Sequence, residues 1–417
     1  MKVNVAMLGS RNHYIIPVIL QNNDLLNKFY TDSYIGNKPL FEKVLLILNK
    51  LKHSNIIKKL LTRRHNAIPR DKIISFDFLG IKYAYLRKKT ENWEELEKVY
   101  VSINKQFCLN IIKHAKKEVN NFDVFYGFNG ASLEIIEFCK QNKKNFILEQ
   151  TSIPHKFYNE IVNEEIKKFT NYEKNGMMRN KDYDLVNREL QEIMLTDYII
   201  APSAFVKDSL INLGAKSEKI ILIPYGIETE RFPYKIRKKG KNRPLNILFL
   251  SEVGLRKGTL YLLEALRNLK SQMAVAKFAG LMSLKEEILD KYKDRVEFLG
   301  HIPKSEVKEL LNWADIFILP SLAEGSSISI YEALASGIPV ITTKNSGSIV
   351  EDGKTGFIVP VRDSDSIKDA IIKYYENPYL LEEHSYNAVK MRDFIDIKRY
   401  ERDVLNLINL IERTNNK

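Results

Sequence analysis

Short apolar runs alternate with helical segments through the second half of the chain, and this alternation limits the possible folds more than any other feature. The predicted strands are Asn246–Ser251, Ala276–Gly280, Val296–Gly300, Ile316–Pro320 and Pro339–Thr343. The predicted helices are Gly258–Lys270, Leu284–Tyr292, Ser305–Trp313, capped by Ser305, and Ser327–Ser336. Short strands between such helices indicate parallel βαβ units in a doubly wound sheet. We therefore predict an α/β fold whose ligands bind beyond the carboxyl ends of the strands.

The first half of the chain shows the same alternation less clearly. Strands are predicted over Lys2–Leu8, Asp123–Tyr126, Phe146–Glu149, Leu195–Ala201 and Ile220–Pro224. Ser203 is placed to cap a helix over Ser203–Leu213, because a serine side chain there can accept a hydrogen bond from the first turn. The loop Gly9-Ser10-Arg11 directly follows the first strand.

A chain of 417 residues is too long for one hydrophobic core, so we expect two domains. The predicted parts are an N-terminal domain over 1–232, a basic linker over 233–244, a C-terminal domain over 245–395 and a final amphipathic helix within 396–417. The pattern leaves open whether that helix packs back on the N-terminal domain.

The composition, with 44% hydrophobic and 28% charged residues, is that of an ordinary globular protein. The two cysteines, Cys108 and Cys139, are too few for a disulfide framework and favour a reducing, cytoplasmic location. The N-terminal apolar run is too short for a signal peptide. No run of about 18 apolar residues predicts a membrane span.

Positive charge is concentrated in one segment of a chain whose net charge is +13. Phe41–His65 holds one acid, Glu42, against the basic residues Lys43, Lys50, Lys52, Lys58, Lys59, Arg63 and Arg64. Apolar residues lie between them at helical spacing. Such a segment can lie on an anionic bilayer surface, or it can be an amphipathic helix that packs inward. Neither a zinc pattern nor an RNA-binding aromatic signature is present, which argues against a nucleic-acid partner.

The segment Pro320–Ile341, PSLAEGSSISIYEALASGIPVI, predicts a binding site for a phosphate-bearing ligand. A strand ends there, a Gly-Ser-Ser turn follows, and a helix begins whose N-terminal amides favour an anion. Glu324 and Glu332 flank this anion site and are separated by roughly 10 Å of helical rise. A ligand with hydroxyls at both ends and phosphates between them, such as a nucleotide-sugar, suits this arrangement.

Five segments, in order, resemble the family 4 retaining glycosyltransferases. They are LTDYIIAPSAFVKDSLINLGAKSEKIILIPYGIETERF (195–232), GLRKGTLYLLEAL (254–266), VEFLGHIPKSEV (296–307), EGSSISIYE (324–332) and EDGKTGFIVP (351–360). The resemblance covers the C-terminal half well and residues 1–190 weakly. It implies the GT-B fold, in which two Rossmann-like domains face a central cleft.

The resemblance also implies the roles of individual residues. Lys257 and Arg256 would bind the diphosphate, Glu324 the transferred sugar and Glu332 the ribose. The backbone amides of Ser326, Ser327 and Ile328 would contact the distal phosphate. Gly9 and Ser10 would approach the phosphates from the N-terminal domain, and His301 would touch the base. His13 is the candidate general base or acceptor contact, and His155 is its alternative.

The chain departs from the family pattern at several of these positions. Ser251-Glu252 stands where the family often has Gly-Arg, so Arg256 is the candidate replacement for the guanidinium. The family's Gly-Phe-Gly after the first glutamate becomes Gly325-Ser326-Ser327, and Ser348 occupies a position where many members have glutamate. The shape of the sugar pocket is therefore not fixed by the resemblance.

The function implied is transfer of a sugar from a nucleotide-sugar, first of all a UDP-sugar, to a glycan or lipid-linked acceptor in cell-surface polysaccharide synthesis. Retention of anomeric configuration is implied, without a protein nucleophile, metal or other cofactor. The Asp-x-Asp sequence Asp363–Asp365 is predicted to lie in a polar loop and so does not indicate a metal site. The expected location is cytoplasmic, with peripheral membrane contact through 41–65. The alternatives are another GT-B enzyme, such as an epimerase or phosphorylase, and a non-catalytic glycan-assembly subunit.

Overall fold

The computed structural model describes residues 1–52, 57, 60–179, 184–238, 240 and 243–415. The chain divides into two compact units. Unit 1 consists of Met1–His155, Asn180–Ile200 and Leu210–Ile221, and unit 2 of Lys156–Arg179, Ala201–Ser209 and Leu222–Lys417. The segment Lys156–Arg179 thus belongs with the second half of the chain, and the boundaries proposed from the sequence stay a prediction.

A seven-stranded sheet forms the centre of unit 1, and only Ala201 and Leu222 at its strand ends fall outside the unit. Its strands are β1 (Val3–Met7), β2 (Leu26–Thr31), β3 (Ile73–Ser75), β4 (Val124–Phe128), β5 (Asn145–Glu149), β6 (Tyr198–Ala201) and β7 (Ile220–Leu222), in the order β3-β2-β1-β4-β5-β6-β7. β1 and β4 are buried along their whole length, as expected for a parallel sheet covered on both faces.

The first half of the chain also contains eight described helices. They are α1 (Ile15–Asn22), α2 (Pro39–Lys52), α3 (Asp77–Lys89), α4 (Trp93–Ala115), α5 (Leu133–Gln141), α6 (His155–Lys168), α7 (Asp184–Leu195) and α8 (Ala204–Asn212). The predicted cap of α8 is confirmed, because the Ser203 hydroxyl accepts a hydrogen bond from the Val206 amide at 3.3 Å.

The predicted strand Leu195–Ala201 begins too early. Leu195 is the last residue of α7, and the Thr196 amide still donates to the Glu192 carbonyl at 3.0 Å. The strand begins only at Tyr198, because the hydrogen bonding of the helix continues through Thr196. The other predicted strands of the first half are confirmed within one or two residues at each end.

Unit 2 contains a six-stranded parallel sheet in the order β10-β9-β8-β11-β12-β13. Its strands are β8 (Leu245–Leu250), β9 (Ala274–Ala279), β10 (Val296–Gly300), β11 (Ile316–Leu319), β12 (Val340–Thr342) and β13 (Gly356–Ile358). Its further helices are α9 (Thr259–Arg267), α10 (Glu286–Leu289), α11 (Lys304–Trp313), α12 (Ile328–Ala335), α13 (Ser364–Glu376), α14 (Pro378–Lys390), α15 (Arg392–Ile395) and α16 (Ile397–Asn415). The doubly wound parallel architecture predicted from the sequence is confirmed.

Two local predictions for unit 2 are wrong. Ser305 does not cap α11, because the helix begins at Lys304 after an extended Pro303. Because the ring of Pro303 fixes its φ and its backbone is extended, the helix begins at the next residue, Lys304, one residue before Ser305. Asp363 and Asp365 do not lie in a loop: Asp363 caps α13 by accepting from the Ser366 amide at 2.9 Å, and Asp365 is in its first turn.

Part of the predicted linker 233–244 is packed into unit 2. The Arg237 side chain is buried and its guanidinium donates to the carbonyl oxygens of Leu311, Asn312 and Ser336 at 2.9–3.0 Å. Residues 239, 241 and 242 of this segment lie outside the described residues. One basic residue of this segment is therefore not solvent-facing, because Arg237 joins two carbonyls near the end of α11 to the carbonyl that ends α12.

The predicted amphipathic segment 41–65 contains most of α2, whereas Lys58 and Lys59 lie outside the described residues. Leu45 is buried, but Val44, Leu46, Ile47 and Leu48 are exposed. The described part of α2 thus exposes four apolar side chains and buries one. Among the helices of the described chain, none is both long enough and apolar enough to cross a bilayer.

Candidate functional site

A tight backbone contact brings two strand ends of unit 2 together. β8 pairs with β11, and the chain after β8 turns through Leu255–Lys257 to Gly258. Gly258 has φ +67°, and a Cβ at this position would lie 2.0 Å from the Pro320 carbonyl oxygen. Only glycine fits such a contact. The loop that carries Lys257 is therefore fixed against the end of β11, immediately before Glu324.

Three charged side chains meet at this contact. The Glu324 carboxylate forms ion pairs with both Lys257 and Arg256. Arg256 also donates to the Ala323 carbonyl at 3.0 Å and lies 3.3 Å from a Glu252 carboxylate oxygen. Lys257 is buried and Glu324 nearly so. The structure thus brings together three of the residues that the sequence predicted for catalysis.

The pKa shifts in this cluster follow from burial and from the mutual attraction of its charges. Burial alone would raise the pKa of Glu324, but Lys257 and Arg256 together hold it below the usual value. Burial lowers the pKa of Lys257 despite the attraction of Glu324. Burial would also lower the pKa of Arg256, but Glu324 outweighs it and the pKa is raised. Glu324 is therefore held as the anion against two cations.

Helix α12 begins beside this cluster, with Ser327 at its N-terminal cap. The Ser326 hydroxyl contacts the Gly347 carbonyl at 3.0 Å and the Tyr331 hydroxyl at 2.8 Å, while the Ser327 amide donates to the Ser346 carbonyl at 3.3 Å. The positive end of the helix dipole lies at this turn. Glu332 is half-buried in the second turn of the same helix.

Three residues to which the sequence assigned no role support the cluster. The Glu173 carboxylate accepts from the Leu255 amide at 2.7 Å, and the Arg256 guanidinium lies 5.9 Å from the centre of the Tyr158 ring. Glu252 accepts from the Ser283 hydroxyl at 2.5 Å. Glu252 could have been found, because it occupies the position of the family's arginine. Tyr158 and Glu173 come from the first half of the chain, where no motif marks them.

His301 is not brought to this cluster. It is exposed and follows β10, the edge strand of the sheet. Two strands separate β10 from β11, and at about 4.8 Å per strand this places the two strand ends roughly 14 Å apart. His301 therefore lies well to one side of Glu324, along the row of strand ends.

The predicted residues of unit 1 lie on a strained turn after β1. The Gly9 amide donates to the Asp32 carboxylate at 3.0 Å. Asn12, His13 and Tyr14 have φ of 42°, 50° and 66°, so three consecutive residues other than glycine adopt left-handed backbone. Such strain persists only where surrounding contacts impose it, and it is concentrated at functional sites. Tyr14 is buried and His13 is exposed. Ser10 is exposed at the start of the same turn.

His155, the alternative histidine, has a carboxylate partner in unit 1. Its Nδ1 lies 2.8 Å from Oε2 of the buried Glu189. Asn129 and Gln150 donate to the other carboxylate oxygen of Glu189 at 2.9 Å and 2.8 Å. Burial would raise the pKa of Glu189, but His155 and these donors hold it below its usual value. Asn129 and Glu189 carried no sequence signal, since they come from separate helices and strand ends.

Comparison with known proteins finds similarity in the C-terminal part of the chain. Residues 231–391 match the family model for "Glycosyl transferases group 1". The chain is 30% identical over 214 residues to the amylovoran biosynthesis glycosyltransferase AmsK of Erwinia amylovora. This alignment covers 46% of this chain and 52% of that protein. It is 31% identical over 180 residues to the putative colanic acid biosynthesis glycosyltransferase WcaL of Salmonella typhimurium, covering 40% of this chain and 44% of that protein. The chain thus spans about half the length of the curated relatives it matches.

Among solved structures, the chain resembles Anabaena Alr3699/HepE in complex with UDP, with a TM-score of 0.65. The likeness covers 98% of this chain and all of that chain at 15% identity. At this identity it concerns the fold alone. Together with the two parallel-sheet units, it confirms the GT-B fold that the sequence predicted.

Proposed function

We propose that this protein is a retaining glycosyltransferase of surface polysaccharide synthesis, because residues 231–391 match the family model for glycosyl transferases group 1. It moves a sugar from a nucleotide-sugar, first of all a UDP-sugar, to a glycan or lipid-linked acceptor. The observation that carries the proposal is the Lys257–Arg256–Glu324 cluster beside the N-terminus of α12. The names of AmsK and WcaL and the UDP bound by HepE support the process and the nucleotide.

In this proposal, Lys257 and Arg256 bind the diphosphate leaving group. Negative charge develops on the diphosphate as the glycosidic bond breaks, and fixed cations stabilise that charge without reorganisation. The amides of Ser326 and Ile328 and the positive end of α12 add to this stabilisation. We assign the Ser327 amide a structural role instead, because it already donates to the Ser346 carbonyl.

Glu324 has two successive partners in the proposal. Its carboxylate contacts Lys257 and Arg256. When the diphosphate takes over these cations, the carboxylate becomes available to the sugar hydroxyls and to the positive charge that develops on the anomeric carbon. Glu332, in the second turn of α12, accepts hydrogen bonds from the ribose hydroxyls, as an acidic residue does in dinucleotide-binding folds.

The remaining predicted residues keep their proposed roles. Gly9, Ser10 and His301 are proposed donor contacts, and His13 or His155 is the proposed acceptor contact. The acceptor hydroxyl attacks from the face that the diphosphate leaves, so the departing phosphate takes its proton and the configuration is retained. This step requires no metal, other cofactor or protein nucleophile. We place the protein in the cytoplasm, with peripheral membrane contact through 41–65.

Calorimetry with UDP, GDP and ADP tests the donor part of the proposal. We expect UDP to bind most tightly and to raise the melting temperature, because a ligand that binds only the folded protein stabilises it. A UDP-sugar should then yield UDP and a glycoside of unchanged anomeric configuration, read by NMR. Phosphate-dependent release of a sugar phosphate would assign a phosphorylase instead. Failure of all three nucleotides to bind would remove the proposal.

A further inference from the structure

Helix α3 (Asp77–Lys89) presents a row of large apolar side chains to the solvent. Phe78, Ile81 and Tyr85 are 91%, 64% and 57% exposed. Their spacing of three and four residues places them on one face of the helix. Single exposed apolar residues are common, but a contiguous row on one helix marks an interaction surface.

The opposite face holds this helix in place. Leu79 is buried, and Tyr83 packs against Tyr100 of α4 with ring centres 6.0 Å apart. A Cβ at Gly80 would lie 2.1 Å from the Ser33 hydroxyl oxygen, so the backbone of α3 lies directly against its neighbour. The helix cannot rotate its apolar row inward without losing these contacts.

The exposed face of α3 is also cationic. Lys82, Lys88 and Lys89 are exposed, and the Lys89 ammonium lies 4.5 Å from the centre of the Tyr85 ring. The only carboxylate in the helix is that of Asp77, and it forms an ion pair with Lys38. The lysines therefore face the solvent without a carboxylate from their own helix.

The same ion pair connects α3 with α2, because Lys38 immediately precedes α2 and Asp77 is the first residue of α3. α2 exposes its own apolar side chains at Val44, Leu46 and Ile47. The two helices thus begin side by side and both expose apolar and basic side chains in unit 1.

We propose that α3, together with α2, is a docking surface for an anionic phospholipid bilayer. Phe78, Ile81 and Tyr85 enter the boundary between headgroups and acyl chains, and Lys82, Lys88 and Lys89 contact lipid phosphates. A second copy of the chain fits this surface less well. A two-fold interface through α3 would bury the lysines of both copies together, with Asp77 as the one carboxylate that each helix supplies, whereas lipid phosphates neutralise the lysines.

This surface goes beyond the segment 41–65 proposed from the sequence, because α3 lies outside it. Vesicle binding requires neither donor nor acceptor, so it does not depend on the proposed transferase activity. A protein that binds vesicles but no nucleotide would refute the transferase proposal alone. A protein that binds nucleotide but no vesicles would refute the docking surface and the membrane contact of 41–65, and would leave the transferase proposal intact.

Co-sedimentation of the full chain with vesicles of phosphatidylcholine and phosphatidylglycerol tests this proposal. We expect the triple variant F78S/I81S/Y85S to partition about tenfold more weakly. The matched control is Y379S/Y386S/L410S, which removes residues that are 83%, 53% and 53% exposed elsewhere and should partition like the unaltered chain. A second variant, K82E/K88E, should lose about tenfold on these vesicles and show no change on pure phosphatidylcholine.

Circular dichroism and the melting temperature verify that each variant is folded. Equal partitioning of F78S/I81S/Y85S and the control triple would overturn the proposal. Light scattering gives a second way to overturn the proposal. If the control triple variant is a dimer and F78S/I81S/Y85S is a monomer, the surface binds a second copy of the chain.

Discussion

The candidate sites of the two units differ in how they are built. In unit 2, Lys257 and Glu324 lie in the loops that follow β8 and β11, and the pairing of these two strands brings the loops into contact. In unit 1, the carboxylate beside His155 comes from Glu189, which lies on a helix more than thirty residues further along the chain. A site made of residues next to strand ends is visible in a sequence, whereas a site assembled from distant helices is not.

The largest expected effect tests the site of unit 2. We expect Lys257→Ala to lower turnover about 100-fold or more, because it removes a fixed cation from the leaving group. The control is Lys308→Ala, which removes an exposed lysine of α11. Steady-state kinetics and a melting curve are the measurements. Full activity in a folded Lys257→Ala protein would contradict this comparison, since the site that the sequence indicates most clearly would then not be the active site.

A second prediction concerns a buried carboxylate of unit 1. Glu192 accepts from the amides of Gly130, Ser132 and Leu133 at 2.6–3.0 Å, yet burial raises its pKa to about 7. An unfolded glutamate ionises near pH 4.5, so the unfolded chain releases this proton first as the pH rises. The free energy of unfolding contributed by Glu192 should therefore fall by about 3 kcal/mol between pH 4.5 and pH 7.

Urea unfolding at several pH values measures this loss. Glu192→Gln cannot ionise and should show a flatter pH dependence than the unaltered chain over the same range. Equal slopes for the two proteins would mean that the three amides, rather than burial, determine the ionisation of Glu192.

The third prediction tests the nucleotide role of Glu332. We expect Glu332→Ala to weaken UDP binding by about 1–3 kcal/mol, because hydrogen bonds from ribose hydroxyls to a charged group are lost. Glu306→Ala, on an exposed position of α11, is the matched control. Unchanged UDP affinity in calorimetry would remove Glu332 from the binding site and leave only the phosphate cluster in unit 2.

The smallest effect distinguishes the two histidines of unit 1. His155→Gln removes the Nδ1 contact with buried Glu189, and we expect a loss of about 1–2 kcal/mol in unfolding free energy. His13→Gln, at an exposed position, should change stability by less than about 0.5 kcal/mol. If turnover falls in His13→Gln while stability does not, His13 is the acceptor contact. The opposite pattern assigns that role to the His155–Glu189 pair.

The apolar runs of the sequence were sufficient to predict the parallel sheets and the strands of unit 2. The family resemblance assigned Lys257, Arg256 and Glu324 to one ligand site, but the ion pairs among them were not predicted, because they depend on how two loops pack together. Glu173 and Tyr158 could not be predicted, because Lys156–Arg179 packs with unit 2 although it lies in the first half of the chain.

The exposed row on α3 was equally hidden from sequence reasoning. Apolar side chains occupy both faces of this helix, with Leu79 and Tyr83 on one and Phe78 and Ile81 on the other. Periodicity alone does not say which face another helix covers. The contact of Tyr83 with Tyr100 decides it, and that contact depends on the tertiary structure.

The close approach of Gly258 to the Pro320 carbonyl has a consequence for how this protein can change. The loop that carries the two cations and the loop that carries Glu324 are in backbone contact and must move as one rigid piece. Under the proposed function, a new sugar preference would therefore arise through side chains around these two loops, whereas any side chain at position 258 would push the loops apart.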